Sequence, residues 1–193
     1  VDTWNNDFII IDYKTGDSNF SDYTDVYSGK KLQLLVYAKC FADKYKLNPK
    51  GVFYLPISNA YSKESKKYKL IGVLDKDINN IYAMDNGLTQ GGYYSNVINL
   101  HTTQSGEFPK NSTFFSRMCI EAEDINYLLD YAINQVNIAI KNILDGDITP
   151  HPLKTNNKNV CDYCEYLGLC NYNNNNDRCV KSILTIDELK ERR

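Results

Sequence analysis

Histidines are scarce in this sequence and long apolar runs are missing, and each shortage narrows its function. Only 2 of the 193 residues are histidines, and neither His101 nor His151 has a partner at metal-ligand spacing, so we predict that both lie on the surface or in loops. The longest apolar run is only a few residues, which predicts neither a transmembrane helix nor a signal peptide. No glycine-rich segment has the pattern of a phosphate-binding loop, so ATP hydrolysis by this chain is not expected.

An excess of basic residues is also missing. Lysine and arginine number 22 against 24 aspartate and glutamate residues, which gives a formal net charge of -2. This balance argues against a protein that coats nucleic acid by electrostatics alone, although it allows an enzyme with a local basic channel. The hydrophobic fraction of 42% is enough for a core. The length suits one domain, with a modest appendage at most.

Apolar periodicity predicts a mixed α/β fold. Residues 1–15 have the pattern of a β-hairpin, and the polar residues after them predict a surface loop over 16–28. Helical spacing and strand alternation predict a helix at about 29–46, strands at 51–57 and 68–74, a helix at about 124–145 with a continuous apolar stripe, and a short last helix capped by Thr185. This order of elements predicts a mixed central sheet flanked by helices.

The most hydrophobic segment, FIIIDYKTG from Phe8 to Gly16, ends in an acid and a base. Side chains alternate along a strand, so Asp12 and Lys14 project from the same face. One interpretation is a surface ion pair, which stabilises a fold little. The other is a metal site, in which Asp12 holds a divalent cation and Lys14 positions or deprotonates a water. A rigid buried strand would hold both groups accurately for such chemistry.

The same segment, followed by LQLLVYA, resembles the D/E-x-K signature of the RecB-type nuclease family. In that family a D-Y-K-[TS]-G strand precedes a helix that carries Q-x-x-x-Y, here Gln33 and Tyr37, which share one helix face at i and i+4. The resemblance implies a restriction-endonuclease-like PD-(D/E)XK core in which Asp12 and the Tyr13 carbonyl bind Mg²⁺ or Mn²⁺ and Lys14 is catalytic. It also implies that Gln33 and Tyr37 contact DNA or orient the site.

Asp2 is the one acid on the preceding predicted strand. The family carries an earlier aspartate there in a G-x-x-D context, after a helix with a histidine or glutamate, and neither context is visible here. Asp2 is therefore either a metal ligand or the second acid of an I-D-R-x-D run whose first acid lies before Val1, and the family spacing favours the second. Because Val1 is not methionine and falls within a strand pattern, we expect a fragment of a longer protein with an incomplete metal site.

Four of the six cysteines crowd the C-terminal end. The segment CDYCEYLGLC places Cys161, Cys164 and Cys170 at C-x2-C-x5-C spacing, which favours zinc or an iron–sulfur cluster over disulfides. After a D-Y-K core, this tail resembles that of the AddB subunits of bacterial AddAB helicase–nucleases, and that of the small CRISPR-adaptation nucleases. The resemblance implies a 4Fe–4S cluster whose fourth cysteine lies upstream of this chain; within the chain, Cys179 is the least unsuitable substitute.

The strand pair after the Q-x-x-x-Y helix and the long helix before the cysteines favour the AddB type. We therefore predict a nuclease core over residues 1–150, truncated at its N-terminal side, and a cysteine tail over 151–193 that includes the iron–sulfur site and the last helix. The resemblance implies a Mg²⁺-dependent DNA exonuclease domain without membrane attachment. It would act with an AddA-like helicase–nuclease subunit on single-stranded DNA, in the bacterial cytoplasm at the nucleoid, during processing of double-strand breaks and recombinational repair.

Three alternatives remain open from the sequence. One is a CRISPR-adaptation nuclease, which would come from a gene not much longer than this chain. Another is a catalytically silent DNA-binding module with a structural metal. The third is an interaction domain held together by zinc, which would lack the colour of an iron–sulfur cluster.

Overall fold

The computed structural model describes residues 1–15, 20, 22–57, 68–155, 158–170 and 178–192. The strands in this part of the chain are β1 (Asp2–Trp4), β2 (Asp7–Lys14), β3 (Asn48–Pro56), β4 (Ile71–Asp75), β5 (Cys119–Ile120), β6 (Leu153–Thr155), β7 (Lys158–Asn159) and β8 (Arg178–Val180). The α-helices are α1 (Thr24–Tyr27), α2 (Gln33–Tyr45), α3 (Ile78–Met84), α4 (Thr113–Met118), α5 (Ala122–Leu144), α6 (Leu167–Cys170) and α7 (Ile186–Glu191). Two 3-10 turns span Asn86–Thr89 and Val160–Tyr163.

Five strands form the central sheet in the order β1-β2-β3-β4-β5. β2 is antiparallel to β1 and parallel to β3, while β4 is antiparallel to β3 and parallel to β5. The helices α2 and α5 contact each other, and both pack on β3. The predicted mixed α/β sheet flanked by helices is confirmed, and so are the two strands that follow the first long helix.

The start of β2 and the helix α2 form a tightly packed support. The apolar first half of β2 is buried, and the ring of Phe41 on α2 packs against Phe8 with centroids 4.9 Å apart. The sheet face that carries Phe8 is called the α2 face below. α2 ends where Lys46 takes a left-handed conformation, with φ of 57°, and donates its N–H to the Ala42 carbonyl. The predicted hairpin and first long helix are confirmed, although the helix begins at Gln33, later than predicted.

α5 carries the apolar stripe predicted from its periodicity, but only half of the stripe is buried. Ile125, Leu128 and Leu129 lie in the core, where the helix crosses β3, β4 and α2. Toward the other end of α5 the same stripe reaches solvent, and Ile143 is 75% exposed. Periodicity therefore predicted the helix correctly and the extent of its burial wrongly. No helix of the described residues is long and apolar enough to span a bilayer.

The surface loop predicted for residues 16–28 is wrong for its second half. Residues 24–27 form α1, and Phe20, Tyr23 and Val26 are buried in the core. The Phe20 ring packs edge-on against Tyr23, with centroids 6.2 Å apart. These apolar residues are separated by polar ones at no regular period, so no periodic signal marked them. Residues 16–19 and 21 lie outside the described residues.

The tail forms a small sheet and then returns to the core. β7, β6 and β8 make a three-stranded sheet in that order. The Tyr23 N–H then donates to the Ile183 carbonyl at 2.9 Å, and Leu189 of α7 is buried in the main core. Thr185 caps α7 by accepting the Glu188 N–H, as predicted. The predicted division into a core and a tail at residue 150 stays a prediction.

Candidate active site

β2 ends in the acid–base pair that strand alternation predicts. Lys14 Nζ lies 2.6 Å from Asp12 Oδ2, and the two side chains are 38% and 32% exposed. Both project from the α2 face, because they share alternation with Phe8. A buried strand thus presents a carboxylate and an ammonium side by side, and both groups are open to solvent on one side.

Tyr54 lies beside this pair, and the sequence did not predict its place there. In the parallel ladder Tyr54 is the β3 partner of Asp12, and it is 5% exposed. Lys14 Nζ lies 5.6 Å from the centroid of its ring. Burial, and then the charges of Asp12 and Asp25, raise the pKa of the Tyr54 hydroxyl to about 12. No local signal marks Tyr54, because its position depends on the register between two strands far apart in sequence.

The Tyr13 carbonyl provides a second oxygen next to Asp12. The Ile57 N–H donates to the Lys14 carbonyl at 2.7 Å, so the Lys14 carbonyl points toward β3. Successive carbonyls of a strand point to opposite sides, and the Tyr13 carbonyl therefore faces the side on which β1 lies. Among the described residues, β1 pairs only with residues 7–9 of β2 and does not reach Tyr13.

Gln33 and Tyr37 lie above the same end of β2. Gln33 Nε2 donates to the Tyr37 hydroxyl oxygen at 2.8 Å. α2 connects two parallel strands, so it runs antiparallel to β2, with Phe41 over Phe8. Gln33 lies about 12 Å before Phe41 along the helix axis, and Asp12 lies about 13 Å beyond Phe8 along the strand. The helix therefore brings the Gln33–Tyr37 pair level with Asp12 on the α2 face.

Comparison with known proteins agrees with this geometry. The sequence matches the PD-(D/E)XK nuclease superfamily over residues 1–171. The chain belongs to this superfamily. It is 32% identical to the AddB-type subunit of the ATP-dependent helicase/deoxyribonuclease of Clostridium tetani (strain Massachusetts / E88), over 84% of this chain and 15% of the relative. The resemblance to a nuclease domain of the AddB type, predicted from the motifs, is confirmed.

Two further relatives carry the same name. The corresponding protein of Alkaliphilus metalliredigens (strain QYMF) is 30% identical over 95% of this chain and 17% of the relative. That of Alkaliphilus oremlandii (strain OhILAs) is 30% identical over 94% of this chain and 16% of the relative. The PD-(D/E)XK chain thus spans only 15% to 17% of the length of these three relatives.

The structure does not bring Asp2 to the other predicted metal ligands. β1 pairs Asp2 with Ile9, and directly paired residues project from the same face of a sheet. Ile9 and Asp12 project from opposite faces of β2 because they differ in alternation. Asp2 therefore lies on the face opposite the Asp12–Lys14 pair, and this placement does not support the prediction that Asp2 itself binds the metal.

The oxygen donors at the end of β2 fit a divalent cation that water or substrate also coordinates. The Asp12 carboxylate and the Tyr13 carbonyl are both hard oxygen ligands, and Mg²⁺ sites in enzymes often use only one or two carboxylates together with waters and substrate phosphates. Over the described part of the chain, no three histidine, cysteine or carboxylate residues are grouped so that they could hold a metal. The described residues therefore supply part of a Mg²⁺ or Mn²⁺ site rather than a closed cage.

The cysteine tail contains a tight C-x2-C turn. Cys161 lies in the 3-10 turn Val160–Tyr163, and the Cys164 N–H donates to its carbonyl at 3.1 Å. Cys164 and Cys170 are exposed. A turn of this kind suits two ligands of one metal centre. Within the described residues, however, the three predicted iron–sulfur ligands are not gathered into a metal site.

A cavity of about 630 Å³ between α1, α5 and α7 lies away from the pair at the end of β2. Its lining consists of Tyr27, Tyr127, Asp130, Tyr131, Asn134, Gln135, Ile138 and Arg192. The one carboxylate in this lining is already paired, since Lys39 Nζ lies 2.9 Å from Asp130 Oδ1. Tyrosine and amide side chains bind ligands but do not supply an acid and an amine for hydrolysis. The chemistry therefore places the candidate active site at Asp12 and Lys14.

Proposed function

We propose that this chain is a divalent-metal-dependent deoxyribonuclease domain of an AddB-type helicase–nuclease subunit. The observation that carries the proposal is the Asp12–Lys14 pair at the end of β2, level with Gln33 and Tyr37 of α2. The relatives are named as subunits of a helicase and deoxyribonuclease, which supports DNA as the substrate. The same names support an AddA-like helicase partner that delivers single-stranded DNA to this site.

Each side chain of the site has a role in phosphodiester hydrolysis. In this reaction a water oxygen bonds to phosphorus, and the bond from phosphorus to the leaving sugar oxygen breaks. A cation held by Asp12 and the Tyr13 carbonyl would supply positive charge against the charge that develops on the phosphate. Lys14 would orient or deprotonate the attacking water. Gln33 and Tyr37 would donate hydrogen bonds to phosphate oxygens, which position the nucleic acid.

The register of β1 supports a further acid upstream of Asp2. Asp2 pairs with Ile9 and Thr3 with Phe8, so each step toward the N-terminus moves the partner one residue along β2. In the same register, the partner of Asp12 is the residue three positions before Asp2. In the full subunit an aspartate at that position would complete the metal site, with Asp2 as the second acid of the I-D-R-x-D pattern. An apolar residue there would contradict this part of the proposal.

The cysteine tail would hold a 4Fe–4S cluster through Cys161, Cys164 and Cys170, with the fourth ligand upstream of this chain. The C-x2-C turn and the accessible thiols support this assignment. Such a cluster would contribute to folding, because the unfolded chain has no preformed site. The intact subunit, purified without oxygen, should be brown and lose its visible absorbance in Cys164→Ser. A colourless protein that contains zinc would contradict the assignment.

The biological setting follows from the same proposal. A nuclease core over residues 1–150 and a cysteine tail over 151–193 would form one end of a subunit that processes double-strand breaks for recombinational repair. The substrate of such a subunit is the chromosome, so the enzyme would act in the cytoplasm at the nucleoid.

The test is cleavage of labelled single-stranded DNA by the intact subunit with Asp12→Asn or Lys14→Met. Either change should lower the Mg²⁺-dependent rate by about a hundredfold or more. The thermal midpoint should change little, because a partly exposed ion pair stabilises a fold weakly. Asp43→Asn is the matched control: it removes a carboxylate that lies 3.5 Å from Lys39 Nζ on α2, and cleavage should stay unchanged.

The outcomes separate the proposal from its rivals. Undiminished cleavage by Asp12→Asn would contradict the assignment of the site. Binding of DNA without Mg²⁺-dependent cleavage by the unmodified subunit would indicate a silent DNA-binding module. Activity in a natural protein hardly longer than this chain would indicate a CRISPR-adaptation nuclease.

A further inference from the structure

Lys14 is held by neighbours in two directions. Its Nζ lies 2.6 Å from Asp12 Oδ2 and 5.6 Å from the centroid of the Tyr54 ring. The ion pair alone restrains the ammonium weakly, because water and salt compete for both charges. A cation at Asp12 would weaken the pair further, since it competes with Lys14 for the same carboxylate. The contact with the ring has no such competitor.

Tyr54 has little freedom to move. It is the β3 partner of Asp12, so both side chains project from the α2 face, and it is almost completely buried. Phe20 packs against its ring with centroids 6.3 Å apart, and Tyr23 packs against Phe20. A ring fixed in this way presents its negative face to a cation at a constant position.

The Tyr54 hydroxyl stays protonated at neutral pH. Burial, Asp12 and Asp25 together raise its pKa to about 12, so the side chain carries no charge that could pair with Lys14. The interaction with the ammonium is therefore made by the ring face. A phenylalanine at this position would preserve it, and an aliphatic side chain would not.

We propose that Tyr54 is a positioning residue that holds the Lys14 ammonium at the active site through the face of its ring. This inference rests on the role in phosphodiester hydrolysis proposed above for Lys14. Lys14 acts on the reacting groups, and Tyr54 acts through Lys14. The contact itself, however, can be measured whether or not the chain cleaves DNA.

The first experiment is NMR on this chain with isotopically labelled lysine. The ε-methylene signal of Lys14, assigned by its loss in Lys14→Arg, should lie upfield of those of lysines remote from any ring, because the side chain lies over an aromatic ring. Tyr54→Phe should keep the upfield position, and Tyr54→Leu should abolish it. Lys44 gives a matched control, since its Nζ lies 5.1 Å from the Tyr45 ring centroid. Tyr45→Leu should move the Lys44 signal and leave that of Lys14 unchanged.

The second experiment is steady-state cleavage of single-stranded DNA by the intact subunit. Tyr54→Leu should lower kcat about tenfold with little change in KM, because a misplaced ammonium affects the transition state more than substrate binding. Tyr54→Phe should retain the activity of the unmodified subunit. Tyr45→Leu should also retain it, because that exposed ring is far from the site.

The outcomes distinguish this inference from the proposed function. A Lys14 signal that is not upfield in the unmodified chain would overturn the inference, and this result does not depend on whether Tyr54→Leu folds. Full activity in Tyr54→Leu together with lost activity in Asp12→Asn would overturn it while leaving the proposed function intact. Normal cleavage by Asp12→Asn would overturn the proposed function, and the catalytic purpose of the contact with it.

Discussion

Lys50 is the extra residue of a bulge in β3. Pro49 and Gly51 take successive partners on β2, so Lys50 has no partner of its own in the ladder. The bulge directs Lys50 toward Asp75 on β4, where Nζ lies 2.8 Å from Oδ2 of a carboxylate that is buried. Asp75 also accepts the N–H of Asp77 through its other oxygen. A local irregularity of the strand thus supplies the counter-charge of a buried acid.

Replacing Lys50 should therefore be costly. Lys50→Met is expected to lower the free energy of unfolding by about 3 kcal/mol, because it leaves Asp75 buried without its partner. Urea denaturation followed by circular dichroism measures this loss. Lys76→Met is the control, because Lys76 pairs with Glu121 at an exposed position, and its effect should stay within about 1 kcal/mol. Equal losses in the two variants would show that burial of Asp75 is unimportant.

The same pair has a defined pH dependence. Burial lowers the pKa of Lys50, but the hydrogen bond and charge of Asp75 outweigh burial and raise this pKa above its ordinary value. The contribution of Lys50 is therefore complete below the unfolded-state pKa of about 10.4. It is lost as the pH rises through the higher folded-state pKa. The difference in stability between the unmodified chain and Lys50→Met should narrow only in strongly alkaline solution.

Residues related by local periodicity were predictable, and those related by register were not. Asp12 and Lys14 share a face because strand alternation is a property of one short segment, and the structure brings them together. Gln33 and Tyr37 follow from helical spacing in the same way, and they are hydrogen-bonded. Tyr54 reaches the site only because β3 pairs with β2 in one register. No pattern within β3 specifies that pairing, so the sequence left Tyr54 unmarked.

Among the elements, α5 shows the limit of periodicity most clearly. Its apolar stripe predicts a helix over nearly the observed length, but a repeat of 3.6 residues does not indicate where a helix leaves the core. That point depends on where β3, β4 and α2 lie, which is a matter of tertiary packing. The stripe is consequently buried at Leu129 and exposed at Ile143.

Truncations along this stripe should therefore differ in cost. Leu129→Ala is expected to lower the free energy of unfolding by about 3 kcal/mol, because it leaves a cavity in the core. Ile143→Ala should change it by no more than about 0.5 kcal/mol, since the side chain is mostly in water. Both are measured by chemical denaturation of this chain. A large loss in Ile143→Ala would show that the second half of α5 is covered in solution.

For the whole molecule, the order of elements predicted the main sheet but not the path of the tail. The strands of the second sheet have three residues or fewer, which is too short for alternation to be recognised. The return to the core depends on distant contacts: the Ile183 N–H donates to Thr24 Oγ1, 159 positions away in sequence. Apolar residues spaced as in a short surface helix could not reveal that α7 completes the main core.

This path makes the last helix part of the cooperative unit that includes the sheet. Leu189 is fully buried in the main core, so Leu189→Ala should lower the free energy of unfolding by about 3 kcal/mol. The loss should appear equally in far-ultraviolet circular dichroism and in the fluorescence of Trp4, the only tryptophan, which lies in β1. Leu169→Ala is the control, because Leu169 belongs to the tail but is exposed, and its effect should stay within about 0.5 kcal/mol. If Leu189→Ala left the Trp4 transition unchanged, the tail would fold separately from the sheet. A coincident shift of both signals requires that α7 and the strand carrying Asp12 and Lys14 unfold together, so the geometry of the site depends on the last helix of the chain.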